Sequence, residues 1–165
     1  MPAAWKALYA GFSFFALAAC GGETATTSAS DSAVDPAAQQ IAETRHEAME
    51  EIGDNFKTIR DQMKAGTPDM AAIKTSTAFI EEKSGEVGGW FPENTSPALG
   101  VDTDALASIW EKPEEFADAV ARFETAAASL NAAAQSEDMT ALGAAVREIG
   151  GACKNCHDSF RADDD

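Results

Sequence analysis

Near the C-terminus, Cys153-Lys154-Asn155-Cys156-His157 spells C-x-x-C-H, the spacing that covalent attachment of a c-type haem requires. Two thiols three residues apart share one face of a helix. From there both can form thioethers with the two vinyl groups of a single porphyrin. His157 follows Cys153 by one turn on the same face, where its imidazole can ligate the iron. Only eight residues follow His157, so any ligand or wall on the other face of the haem must come from upstream. That argues against the small-cytochrome layout, in which attachment lies near the N-terminus and a later Met closes the sixth position. Two rival chemistries use the same pair of cysteines. A thioredoxin-like redox pair needs a preceding strand and a βαβ context, and neither pattern is present. A structural zinc site needs four ligands, and the chain offers only His46 and Cys20 besides the motif. The arithmetic favours haem, one per chain.

Something must position that motif, and the spacing of apolar residues predicts four helices and no strand. Ile41, Arg45, Met49, Ile52, Phe56, Ile59 and Met63 form a first stripe. Met70, Ile73, Thr77 and Ile80 form a second, opened by Thr67-Pro68-Asp69. A third runs through Phe116, Val120, Phe123, Ala127, Leu130 and Ala134, with Pro113 at a first-turn position. The fourth, Met139, Leu142, Val146, Ile149, Cys153, Cys156 and Phe160, puts both thiols on the core-facing seam of the last helix. A haem attached there is tucked into the bundle. Ala-rich runs in the last two helices favour close helix approach. The stretch from about Gly85 to Ile109 reads as a long loop, of a kind that is usually functional; Trp90, Phe91 and Leu99 are expected to pack over an edge of the bundle. The predicted class is all-α, an antiparallel four-helix bundle around a covalently attached haem c.

Ahead of this domain the chain changes character. Lys6 is the only charge before an apolar run from Ala7 to Ala19 that ends in Leu17-Ala18-Ala19-Cys20. A bilayer span needs about 20 apolar residues, so the run reads as a secretory signal over residues 1–19. The sequence L-A-A-C resembles a bacterial lipobox, with Cys20 lipidated; an ordinary signal peptide is the alternative. Residues 20–36 are small and polar, which suits a flexible tether, and residues 37–165 form one haem domain. The expected location is the periplasm, with a membrane tether through Cys20. Loss of the leader removes Lys6 alone and leaves 11 basic against 28 acidic side chains, a net charge of −17. Nucleic-acid binding is excluded on that balance, and a protein partner should be basic or should dock through an uncharged patch.

Taken together these motifs resemble the class II cytochromes c, the cytochrome c′ group, over roughly residues 38 to 162. The resemblance rests on Arg45-x-x-x-Met49, on Trp90-Phe91-Pro92-Glu93-Asn94-Thr95 and on Ile109-Trp110. It extends through the Phe116 and Phe123 helix to Cys153-x-x-Cys156-His157-x-x-Phe160-Arg161. It implies that His157 is the proximal ligand and that Met49 sits over the distal face of the iron. There Met49 either supplies its sulfur as sixth ligand or stays unligated as core, and both readings stay open. Arg45 interrupts the apolar stripe; the resemblance implies a bond from it to a haem propionate, against a snorkelling surface Arg. Arg161 matches an arginine beside the proximal imidazole, against a cation favoured at a helix end. Phe56 shares the Met49 face and is expected near the haem, whereas His46 points about 100° away and reads as surface.

Two functions follow. One is an electron-transfer protein of the cell envelope, cycling Fe(III)/Fe(II) with an unknown redox partner protein. The other is a five-coordinate haem that binds NO or CO for sequestration or sensing. Enzymatic work is not favoured, because no paired carboxylates or Ser/His/Asp set accompany the haem motif. Related proteins are often antiparallel homodimers through the first two helices, and the resemblance leaves that arrangement open here.

Overall fold

A computed structural model describes residues 34–163. The expected leader, the Cys20 lipid site and most of the tether lie outside the described residues. Helix α1 (Pro36–Lys64) starts behind Asp35, whose carboxylate accepts the Ala37 N–H at 2.9 Å, with proline in the first turn. Helix α2 (Met70–Ser84) is capped in the same way by Asp69, which accepts from Ala71 and Ala72. Three 3-10 turns follow, at Val87–Trp90, Glu93–Thr95 and Pro97–Leu99. An extended stretch leads to the single-turn helix α3 (Ser108–Glu111) and then α4 (Pro113–Ser136). Glu137, in the left-handed region at φ 58°, breaks α4, and Asp138 caps α5 (Met139–Phe160) one residue later. All four predicted long helices are present, and the expected loop carries short helical turns of its own.

The core joins Ile52 and Ile59 of α1, Ile73 and Ile80 of α2, Val120, Phe123 and Leu130 of α4, and Leu142 and Ile149 of α5. Thr77 is fully buried, and its hydroxyl donates to Asn131 Oδ1 at 2.9 Å across the α2–α4 seam. Three expected packing positions differ. Ile41 and Met139 are more than a third exposed, because each lies at an end of the bundle. At the start of α1 it is the small side chains of Ala38 and Ala42 that turn inward, against Val101 of the loop rather than against a helix. Leu99 is 59% exposed, at the rim of a groove lined also by Phe91, Ile109 and Trp110, whereas Trp90 and Phe91 pack against the core as expected. Gly100 ends the third turn at φ 85°, and Val34 stands 3.1 Å from where its β-carbon would be, so backbone conformation and space both call for glycine.

Backbones pack closely along three seams: α1 with α2, α2 with α4, and α4 with α5. The fourth side of the bundle, between α1 and α5, has no comparable backbone seam. Side chains bridge it at two places. Phe56 Cζ lies 3.7 Å from the position of a β-carbon on Gly150, and Met63 Cε lies 3.7 Å from that on Gly143.

Candidate haem site

Both thiols of C-x-x-C-H are free and half-buried on α5, packed against the core. Burial pushes the Cys153 thiol up to about 11 and raises Cys156 as well, since a thiolate is costly to form away from water. Both therefore stand as neutral thiols at neutral pH. Cys156 also borders a cleft of about 230 Å³ between α4 and α5, together with Ala119, Arg122 and Phe160. His157 is exposed, and its carbonyl accepts the Arg161 N–H at 3.0 Å as α5 ends.

The register between α1 and α5 is fixed by two contacts on glycines of α5. Phe56 meets Gly150 and Met63 meets Gly143, so seven residues forward on α1 correspond to seven backward on α5, an antiparallel pairing. Continued by one further step of seven toward the N-terminus of α1, the same register would set Met49 opposite His157. On a helix of 3.6 residues per turn, His157 lies within about 20° of the Gly150 direction, so it too is turned toward α1. Met49 is half-buried and shares its helix face with Phe56. A β-carbon at 143 or 150 would touch these two α1 side chains at ordinary contact distance, so small residues there leave room for them. Their heptad spacing was the one signal of this register available in the sequence.

Arg45, one turn before Met49, is buried at 5% exposure rather than snorkelling to water. Its Nη1 donates to the Trp90 carbonyl and to Thr95 Oγ1, both at 3.2 Å, and its Nη2 donates to Thr103 Oγ1 at 2.6 Å. Phe91 lies under the guanidinium at 4.5 Å. All three oxygen partners are neutral, and burial lowers the arginine from its ordinary value. A buried cation held by neutral groups lacks its counter-charge. From Phe91 the aromatic contacts continue to Phe116 at 4.8 Å and on to Phe160 at 5.3 Å, closing this end of the bundle.

Arg161 is the C-cap of α5, its N–H donating to the His157 carbonyl. Helix α5 ends at Phe160, and Arg161 is extended, forming an isolated antiparallel bridge with Ala105. A helix-end cation is therefore not its whole setting, because its backbone belongs to a two-segment pairing. Trp90 and Thr95 bound the W-F-P-E-N-T motif of the loop, but neither that motif nor any periodicity announces them, or Thr103, as partners of Arg45. His46 is exposed, as expected, with Asp104 and Glu50 each 3.6 Å away.

The residues fit a haem c on these observations. Two neutral thiols and an imidazole share one helix, an open seam faces them, and a buried cation stands without an anion nearby. A family model described as Cytochrome C′ matches residues 40–161. The chain belongs to the cytochrome c′ family. Its cofactor is one covalently attached haem c. Among relatives, cytochrome c-554 of Cereibacter sphaeroides is 32% identical over 131 residues, covering 76% of this chain and 83% of its own. Cytochrome c′ of Pararhodospirillum photometricum is 33% identical, covering 74% of this chain and 97% of its own. The fold matches a solved nitric oxide complex of a variant cytochrome c prime from Alcaligenes xylosoxidans. There the TM-score is 0.70 and the identity 26%, over 77% of this chain and 97% of the other.

Proposed function

We propose that this cytochrome c′-family protein is a haem c electron carrier of the bacterial envelope whose iron takes His157 and Met49 as its two axial ligands. The observation that supports the reading is the α1–α5 register at Phe56–Gly150 and Met63–Gly143, whose continuation by seven residues would put the Met49 thioether opposite the motif histidine. Cys153 and Cys156 hold the porphyrin through thioethers, each S–H adding across one vinyl group. His157 supplies the proximal nitrogen, and Arg45 supplies the missing counter-charge to a propionate. Phe56 forms the floor of the seam, one heptad from Met49, and the Arg161 segment lies beside the proximal end. The bound cofactor contributes a one-electron Fe(III)/Fe(II) couple. Phe56 and the apolar core beside the seam would exclude water from a haem held by Cys153, Cys156 and His157.

The visible and near-infrared spectrum of the ferric protein tests this reading. Low-spin bands with a thioether-to-iron charge-transfer feature, lost in Met49→Ala, are expected. An unchanged spectrum in Met49→Ala removes Met49 as a ligand.

A second reading has its own support, because a relative of the same fold is known as a nitric oxide complex. With Met49 unligated, the seam would admit a diatomic to a five-coordinate iron. Rapid CO uptake by the ferrous wild-type protein would favour it. The acidic body, with a formal net charge of −16 over the whole chain, suits a basic redox partner. Lipidation of Cys20 would tether the domain at the periplasmic face of a membrane. Among the described residues no helix is long and apolar enough to cross one.

A further inference from the structure

Residues 101–108 run across the open α1–α5 side and are bonded to both helices in turn. On the α1 side, Gln39 grips the backbone of Asp102 at two points. Its Oε1 accepts the Asp102 N–H at 2.9 Å and its Nε2 donates to the Asp102 carbonyl at 3.2 Å. Arg45 then donates to Thr103 Oγ1 at 2.6 Å. On the α5 side, Ala105 bridges Arg161, with Leu106 N–H donating to the Phe160 carbonyl at 2.9 Å and Ala162 N–H to the Asp104 carbonyl at 2.8 Å. Ser108 Oγ donates to the Ser159 carbonyl at 2.8 Å. Thr103 Oγ1 stands at the changeover, because it also accepts the Ala105 N–H at 3.2 Å.

This strap is the continuous polar link between the two helices at the haem end. Toward the other end, α1 and α5 meet through the apolar Phe56 and Met63 side chains over glycines, contacts without hydrogen-bond directionality. Arg45 lies one turn before Met49, and Arg161 follows His157 by four residues. The strap therefore grips α1 and α5 one turn from each of the two paired residues.

We infer that Gln39 and Thr103 are positioning residues: through the strap they set the α1–α5 separation and so hold the Met49 sulfur within reach of an iron carried by His157. The inference rests on the haem reading above. A metal–sulfur bond tolerates little stretching, so releasing the strap on its α1 side lets the seam widen and the sulfur leave. Thr103→Val keeps the shape of the side chain and removes the oxygen that both Arg45 and Ala105 use. Gln39→Ala frees Asp102 without touching the core.

The test uses the full-length, haem-loaded protein. Ferric spin state and ferrous CO affinity are measured in wild type, Thr103→Val, Thr103→Ser and Gln39→Ala. Hydrogen exchange at the Leu106 and Ala162 amides is followed in the same samples. Thr103→Val is expected to raise the high-spin fraction and to strengthen apparent CO binding about tenfold, the scale of one or two lost hydrogen bonds. Thr103→Ser should restore wild-type behaviour, and Gln39→Ala should shift both readouts in the same direction as valine. Faster amide exchange with unchanged spin state and CO affinity would overturn the inference, and if Thr103→Val fails to fold, Gln39→Ala decides alone. A wild-type protein that carries covalent haem but is already five-coordinate overturns it together with Met49 ligation and leaves attachment standing. Absence of covalent haem from wild type removes the haem reading itself.

Discussion

At the scale of single residues, the site is marked by a buried cation whose partners among the described residues are neutral, and by two half-buried neutral thiols. Arg45 is buried on three neutral oxygens, so its value should depend on whether an anion is bound. Arg45→Gln is expected to cost the haem-loaded protein about 1.5–3 kcal/mol more than the haem-free protein, the range for a hydrogen bond to a charged group. Equal losses in thermal unfolding of the two forms would remove the propionate role. The thiols give a pH dependence with a definite sign. Burial holds Cys153 protonated until about pH 11, and the thiolate is the nucleophile. In haem-free Cys156→Ser protein, alkylation of Cys153 should therefore be slow at pH 7 and rise about tenfold per pH unit toward 11. A rate at pH 8 equal to that of free cysteine would contradict the burial.

At the scale of elements, α5 carries both the attachment chemistry and the space for it. Gly150 stands one turn before Cys153, and a β-carbon there would meet Phe56 at an ordinary contact distance of 3.7 Å. Gly150→Ala should thus be accommodated, and should stabilise by about 0.5–1 kcal/mol through helix propensity. Gly150→Ile has no such room; it should displace Phe56 and lower the yield of haem-loaded protein, read as the ratio of haem to polypeptide absorbance. Equal yields would show that Phe56 does not form the floor of the seam. The cap on α5 is a plainer matter: Asp138 accepts from Thr140 and Ala141 at 2.8 and 3.1 Å. Its replacement by Ala should cost about 1 kcal/mol in chemical unfolding.

At the scale of the whole molecule, a bundle closed on three sides and open on the fourth is incomplete without its cofactor. Cys153→Ala/Cys156→Ala should abolish haem that survives acid–acetone extraction, and should lower the melting temperature by roughly 10 °C, as a loss of a few kcal/mol would. Covalent haem retained in that variant would contradict the attachment. If Cys20, which lies outside the described residues, carries the proposed lipid, Cys20→Ser should shift the protein to the soluble fraction; unchanged fractionation would refute the lipid anchor.

The four long helices were legible because each shows a 3.6-residue stripe and a recognisable start, such as Asp69 or Pro113. The cofactor was legible because thioether attachment fixes residue type and spacing within one helical turn, so C-x-x-C-H states it locally. Ile41 and Met139 misled because a stripe does not say where a bundle ends. The environment of Arg45 was hidden for a different reason. Its partners, Trp90, Thr95 and Thr103, come from a segment without periodicity, brought beside α1 only when the chain folds. The sequence alone determined the cofactor, its attaching residues and the helices that frame it. Only the tertiary structure decided that α1 and α5 stand apart without a backbone seam, that Phe56 and Met63 set their register against Gly150 and Gly143, and that a strap is bonded to both helices. Separation and register belong to contacts between distant segments, and no local pattern encodes them.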